Sequence, residues 1–181
     1  NQDSVKLLKT AILKEAIQGK LTISWRYENH ENDSAKDLYN LIKKDKQKKV
    51  KEKKNKKEKE LDPIAEDEIP HEIPKNWNWC RLGELYSTTS GGTPSRANAD
   101  YWFGDITWYK SGELNDGFLD AESEEKISEI GLKESSATLF PKGTLLIAMY
   151  GATAGKLSIL NRDASTNQAI CGFFYNEFIE T

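Results

Sequence analysis

The run Gly91-Gly92-Thr93-Pro94-Ser95-Arg96 combines residue types that can bind an anion. Adjacent glycines permit positive φ and let consecutive backbone N–H groups converge on one point, as in phosphate-binding nests. Pro94 fixes the exit of the turn, while Ser95 and Arg96 add a hydroxyl and a guanidinium suited to phosphate oxygens. The same residues also make an ordinary loop between two elements, since Gly and Pro punctuate turns of every kind. Tyr101-Trp102, Gly104-Asp105-Ile106 and Trp108 follow, joining the turn to aromatic, strand-forming sequence.

Gly151-Ala152-Thr153-Ala154-Gly155-Lys156 resembles a nucleotide-binding loop only superficially. That pattern needs four residues between its glycines and a Ser or Thr after the lysine, whereas three residues and then Leu157 stand here. Leu157 to Leu160 reads as a strand, so no helix N-terminus is offered to phosphate. A hairpin that puts Thr153 and Lys156 at a ligand-facing edge fits better, with a purely structural hairpin as the alternative. Thr166-Asn167-Gln168 carries two amides, whose paired donor and acceptor suit the N6/N7 edge of adenine. Amides also cap turns, and both roles stay open.

No catalytic set emerges, because no Ser, Cys or Asp is paired with a base and the two histidines, His30 and His71, fall in loop or linker sequence. Cys80 and Cys171 stand far apart without a Cys-x-x-Cys pair, which gives neither a zinc site nor a disulfide framework and points to a reducing cytoplasm. No apolar run is long enough for a membrane span, and no signal peptide is visible. Asn32-Asp33-Ser34 matches a glycosylation acceptor that an intracellular chain does not use.

Several segments together carry a family resemblance. The stretch from Glu68 to Glu84, reading Glu-Ile-Pro-His-Glu-Ile-Pro-Lys-Asn-Trp-Asn-Trp-Cys-Arg-Leu-Gly-Glu, with the Gly91-Gly92 turn resembles the opening of a target recognition domain in the specificity subunit of a type I restriction-modification enzyme. Leu8 to Leu21 resembles the end of that family's long helix, Phe140-Pro141-Lys142-Gly143-Thr144 its later turn, and Thr166-Asn167-Gln168 its Thr-Asn-Gln motif. The resemblance implies a non-catalytic subunit that reads one half of a bipartite sequence in double-stranded DNA. It also implies methyltransferase (modification) and restriction/translocase subunits as partners. S-adenosylmethionine and ATP with Mg would then be bound by those partners, and no cofactor by this chain. Family members carry two recognition domains, and the single opening motif here reads as a fragment whose recognition domain is itself incomplete.

The chain of 181 residues is long enough for one respectable core and a solvated appendage. Residues 1 to 60 hold 17 Lys and Arg against 10 Asp and Glu, whereas residues 61 to 181 hold 9 against 19. A recognition domain of negative balance cannot rely on bulk attraction to phosphate, so local cations must act, and Arg96, Lys110, Lys142 and Lys156 are the candidates.

The elements that must position these residues divide into three parts. Residues 1 to 33 give an amphipathic helix over 4 to 18, with Val5, Leu8, Ile12 and Ala16 on one side and Leu7, Leu13 and Ile17 widening the stripe, then a polar, irregular connector from Trp25. Leu8, Ile12, Leu13 and Ile17 form the expected partner-binding face. Residues 34 to 75 give a charged helix anchored by Leu38, Leu41 and Ile42, a lysine-rich run from Lys43 to Lys59 that is a solvated helix or a frayed tether, and an acidic linker with Pro63, Pro70 and Pro74. Residues 76 to 181 form the recognition domain, an α+β fold on a curved or partly barrelled sheet. Trp77 and Trp79 and most of the aromatic group Trp102, Phe103, Trp108 and Tyr109 are assigned to its core. Strands are expected at 106–109, 144–150, 157–160 and 169–175, with a helix over Ser123 to Lys133 bearing Glu122, Glu124 and Glu125 on or beside its surface.

The expected DNA-facing residues are Thr93, Ser95, Arg96, Lys110, Ser111, Thr153 and Lys156, with Thr166, Asn167 and Gln168 in either a DNA-binding or a structural role. A protein-interaction scaffold that never touches DNA is the alternative, and a carbohydrate-binding module using the aromatic group comes third.

Overall fold

The computed structural model describes residues 2–29, 34–52, 61–174 and 176–179. The chain forms two compact units, Asn1–Leu85 and Tyr86–Thr181.

The first unit begins with helix α1, Gln2–Ile17. Gly19 ends it: its N–H reaches the Ala16 carbonyl at 2.9 Å and its φ of 70° is the left-handed conformation that glycine adopts without penalty. A 3-10 turn at Lys20–Thr22 leads into helix α2, Ile23–Glu28. The expected irregular connector is therefore helical through Glu28, and His30 to Asp33 lie outside the described residues. Side chains replace the missing apolar stripe here: Arg26 donates to the Gly19 carbonyl at 2.5 Å and to Thr22 Oγ1, and Asn29 Nδ2 returns to the Trp25 carbonyl at 2.7 Å.

Helix α3, Ala35–Lys51, is N-capped by Ser34, whose side chain accepts from the Lys36 N–H. Of its three expected anchors only Ile42 is buried; Leu38 and Leu41 remain exposed. Lys53 to Lys59, the rest of the lysine-rich run, lie outside the described residues. The short helix α4, Leu82–Leu85, meets α3 through Tyr39 Oη donating to Glu84 Oε1 at 2.6 Å and Lys46 Nζ donating to the Gly83 carbonyl at 2.7 Å. Burial and the Glu84 bond push the Tyr39 phenol above its ordinary pKa.

The proline-containing linker is tied down near Pro63 by Arg81, and further on His71 Nε2 lies 3.2 Å from the Ile17 carbonyl oxygen. Arg81 donates to the carbonyls of Asp62 and Pro63 at 2.6 and 3.1 Å and forks onto Glu68 at 3.0 and 2.8 Å. Residues 76 to 85 fall within the first compact unit. Trp77 and Trp79 lie in no strand and are 38% and 36% exposed, so they do not form the expected core.

The second unit is built from two open sheets. Strands β1 (Thr88–Ser90), β3 (Gly117–Leu119), β6 (Leu145–Ala148), β7 (Leu157–Leu160) and β9 (Ile170–Phe173) form one, in the order β1-β9-β6-β7-β3. Strands β2 (Trp102–Tyr109), β4 (Glu125–Ile127), β5 (Leu139–Phe140) and β8 (Ala164–Thr166) form the other, in the order β4-β2-β8-β5. Neither closes on itself among the described residues, so the expected mixture of helix and sheet is present without a closed barrel.

Alternation places Leu146, Ala148, Leu160 and Ile170 on an inner face with Tyr109, Leu114, Leu119, Phe140 and Ala164. Each large side chain buried there contributes about 1.5–3 kcal/mol. A second cluster joins Trp102, Trp108 and Ile127. It explains why Ser123 to Lys133 is not one helix: Ile127, in the extended β4, packs into this cluster at 0% exposure. Ser128 then caps helix α5, Glu129–Lys133, its hydroxyl accepting from the Gly131 N–H at 3.0 Å.

Candidate nucleic-acid interface

The Gly91-Gly92 turn does not present an anion nest. The Gly91 N–H bonds to the Ile170 carbonyl at 3.0 Å and the Gly92 N–H to the Thr166 carbonyl at 2.9 Å. Neither glycine has positive φ. Both are required instead by close approach: a Cβ on Gly91 would stand 2.1 Å from Thr166 Oγ1, and one on Gly92 would stand 2.3 Å from the Ser136 carbonyl oxygen. The buried Trp108 indole completes the lock by donating to the Gly92 carbonyl at 2.9 Å.

Thr166-Asn167-Gln168 is the other half of this structure. Thr166 is fully buried. The Asn167 N–H bonds to the Tyr109 carbonyl at 2.9 Å, and its side-chain oxygen accepts from the Ala169 N–H at 3.1 Å. Gln168 is exposed, and its Oε1 accepts from Thr93 Oγ1 at 2.5 Å. Met149 N–H bonds to the Ala169 carbonyl at 2.8 Å, which joins the β6–β7 hairpin to the same place. One end of the unit therefore gathers Thr93, Gln168, the start of the hairpin and the Tyr109–Lys110 turn.

In the hairpin, Gly151 and Gly155 have φ of 84° and 85° with open space around them, so here it is conformation that calls for glycine. The Lys156 N–H closes the turn on the Thr153 carbonyl at 2.9 Å. Its ammonium reaches back to the Leu114 carbonyl at 3.4 Å. Ser111 opens a 3-10 turn, Ser111–Glu113, in which Glu113 accepts from the Lys110 N–H at 2.7 Å.

Two of the four expected cations, Arg96 and Lys110, are paired with carboxylates. Arg96 lies with its guanidinium carbon 3.7 Å from the Trp102 ring centroid and forks onto Glu125 at 2.5 and 2.9 Å. Lys110 Nζ pairs with Glu124 and lies 3.6 Å from Glu125. Hydrogen bonding from Arg96 holds the Glu125 carboxyl below its ordinary range, and Glu124 raises the Lys110 ammonium. Glu122 beside them pairs with Arg162 and, at 3.3 Å, with Lys126. Glu124 and Glu125 thus stand in and before β4, not on a helix. Ser95 is exposed, and its carbonyl accepts from the Trp102 indole at 3.1 Å. The Lys142 N–H is held by Asp163 at 2.8 Å.

Phe103 departs from the expected aromatic core. Trp102, Trp108 and Tyr109 are buried, whereas Phe103 is 95% exposed and has a φ of 62°. Both Trp102 and Ile106 register with Ile127, so the residues between them are looped out of the ladder. The signal available in the sequence was the Gly104-Asp105 pair, which interrupts the strand pattern directly after it.

In the first unit, Leu8, Ile12, Leu13 and Ile17 are 62%, 48%, 53% and 58% exposed along α1. Among the described residues no group of His, Cys, Asp and Glu could hold a metal ion, and no helix is long and apolar enough to cross a membrane.

Known proteins resemble this chain over the same region. Its residues 74–180 match the family described as the type I restriction modification DNA specificity domain. The MjaIX specificity subunit of Methanocaldococcus jannaschii is 33% identical over 99 residues, 54% of this chain and 23% of that protein. The EcoAI specificity subunit of Escherichia coli is 41% identical over 88 residues, 49% of this chain and 14% of that protein. The chain thus spans less than a quarter of either relative. The HsdS subunit of Thermoanaerobacter tengcongensis superposes with a TM-score of 0.45 at 16% identity, over 61% of this chain and 26% of that one, a likeness too loose to fix any detail. Specificity is a non-catalytic role, in keeping with the names of these relatives as specificity subunits. With the family match extending over more than half of its length, the chain belongs to the type I restriction modification DNA specificity domains.

Proposed function

We propose that the second unit reads one half of a bipartite sequence in double-stranded DNA and so directs methyltransferase and restriction subunits to their site in the cytoplasm. The observation that carries this reading is the convergence of Thr93, Gln168, the hairpin and Lys110 at one end of a DNA specificity domain. Gln168 supplies an amide suited to an adenine edge, and Thr93 holds that amide in one orientation. Arg96 and Lys110 contact DNA by exchanging Glu124 and Glu125 for phosphate or guanine oxygens. Because these cations start out paired, attraction to arbitrary sequence is weak, and the contacts form only where the groove fits.

Catalysis and its cofactors belong to other chains in this reading: S-adenosylmethionine to the methyltransferase subunits, ATP and Mg to the restriction subunits. The exposed apolar residues of α1 serve the partner subunits. The test is to exchange residues 76 to 181 of the full-length subunit for those of a relative and map methylation in the host. A change in one half of the methylated motif supports the reading. Methylation that persists at the original motif favours a scaffold without DNA contact.

A further inference from the structure

Phe103 combines two features that do not stabilise a fold. Its ring is 95% exposed, so it contributes almost no apolar burial. Its φ of 62° is a conformation in which bulky side chains are strained and Gly or Asn is at ease. The surrounding structure nevertheless fixes it firmly. Gly104 lies so close to the end of β4 that a Cβ there would stand 2.5 Å from the Ile127 carbonyl oxygen and 2.4 Å from Ser128 Cα. Trp102, on the other side, is anchored by its indole bond to Ser95 and by edge-to-face packing on Trp108 at 5.2 Å. A bulge pinned at both ends thus holds an aromatic ring out in solvent.

The ring is also placed beside groups suited to DNA. Phe103, Arg96 and Lys126 line one open cavity of about 360 Å³ together with Glu124 and Glu125, the carboxylates that Arg96 and Lys110 exchange for DNA in the proposed reading. Arg96 lies over Trp102, the residue preceding Phe103. Proteins that deform DNA push an apolar side chain between base pairs while neighbouring cations hold the backbone. We infer that Phe103 is such a wedge: it stacks on a base step of the bound duplex and favours a pyrimidine–purine step, the kind most easily unstacked. This rests on the DNA-recognition reading and adds to it a residue that selects sequence through deformability.

The experiment uses the full-length subunit assembled with its partners, on duplexes carrying the motif found by methylation mapping with 2-aminopurine at successive positions. Wild type should raise the fluorescence at one step, and Phe103→Trp should keep that signal. Phe103→Asn should abolish it and weaken binding roughly 5- to 150-fold, the range set by losing one base–aromatic stack. Asn accepts left-handed φ, so the thermal midpoint of this variant should not fall. Undiminished affinity with an unchanged fluorescence pattern in Phe103→Asn overturns the wedge and leaves DNA reading intact. Intact DNA binding with lost assembly onto the methyltransferase subunits also overturns it, by making Phe103 a protein contact. Should wild type bind no duplex selectively, and domain exchange leave the motif unchanged, the recognition reading falls and the wedge with it.

Discussion

The indole Nε1 of Trp108 donates to the carbonyl oxygen of Gly92 at 2.9 Å, inside a cluster where Trp108 is 2% exposed. This bond ties β2 to the turn after β1, while the N–H groups of Gly91 and Gly92 tie that turn to Ile170 and Thr166. The glycine turn and the Thr-Asn-Gln segment are therefore one structural joint, and it is their side chains, Thr93 and Gln168 among them, and not the glycine N–H groups, that remain for a ligand.

Gly91→Ala should accordingly act on stability first. Its Cβ would meet Thr166 Oγ1 at 2.1 Å and the Thr166 carbonyl oxygen at 2.3 Å, the first on a fully buried side chain and the second backbone. Overpacking of this kind costs about 1–3 kcal/mol. Denaturant unfolding measures it, and a variant as stable as wild type that had lost DNA binding would restore the anion-nest reading.

Much of this unit was legible from its residues. The β6–β7 hairpin follows from apolar runs flanking two glycines, and the strand β7 after Lys156 stands where a phosphate-binding loop requires a helix. What could not be read was how the same residue types divide between contact and exposure. Gly91 and Gly151 look alike in sequence, yet one is needed for close approach and the other for positive φ. Arg96 and Lys110 read as available cations because Glu124 and Glu125 stand more than a dozen residues away along the chain. Trp102 and Phe103 are neighbours of similar character, and a bulge alone sends one inward and the other out.

Glu125→Gln should loosen the hold on Arg96. DNA binding should tighten, with a salt slope steeper by about one, most visibly on arbitrary sequence. The pH dependence of stability has a defined sign. Hydrogen bonding from Arg96 keeps the folded Glu125 carboxyl below its unfolded value. The stabilisation is present above the unfolded carboxylate pKa of about 4.3 and is lost as pH falls through the lower folded value. Both side chains are partly exposed, so the effect should stay below about 1 kcal/mol. Thermal midpoints against pH should show a shallower acid limb in the variant, and an unchanged limb would remove Glu125 from this role.

Gln168→Leu addresses base reading. Gln168 is exposed, and its side-chain bond joins it to half-buried Thr93, so stability should change by less than about 0.5 kcal/mol. If its amide reads adenine, discrimination at one position should relax by about 1–3 kcal/mol. Competition binding with single-base variants of the mapped motif separates this from a uniform loss, which would mark a backbone contact instead.

The helical face gives the last prediction. Leu8 and Ile12 are 62% and 48% exposed on α1, so a glutamate at either position buries no charge within the first unit and should leave its helicity close to wild type. An apolar stripe docked against a partner responds differently, because the new carboxylate would be desolvated at that interface without a cation. The Leu8→Glu, Ile12→Glu double variant should therefore retain its circular dichroism and its thermal midpoint, yet fail to co-purify with methyltransferase subunits. Since the proposed DNA-facing residues all lie in the second unit, the double variant should still bind the target duplex by itself. Undisturbed co-purification would mean that α1 is solvent-facing in the assembly and that partner subunits bind elsewhere.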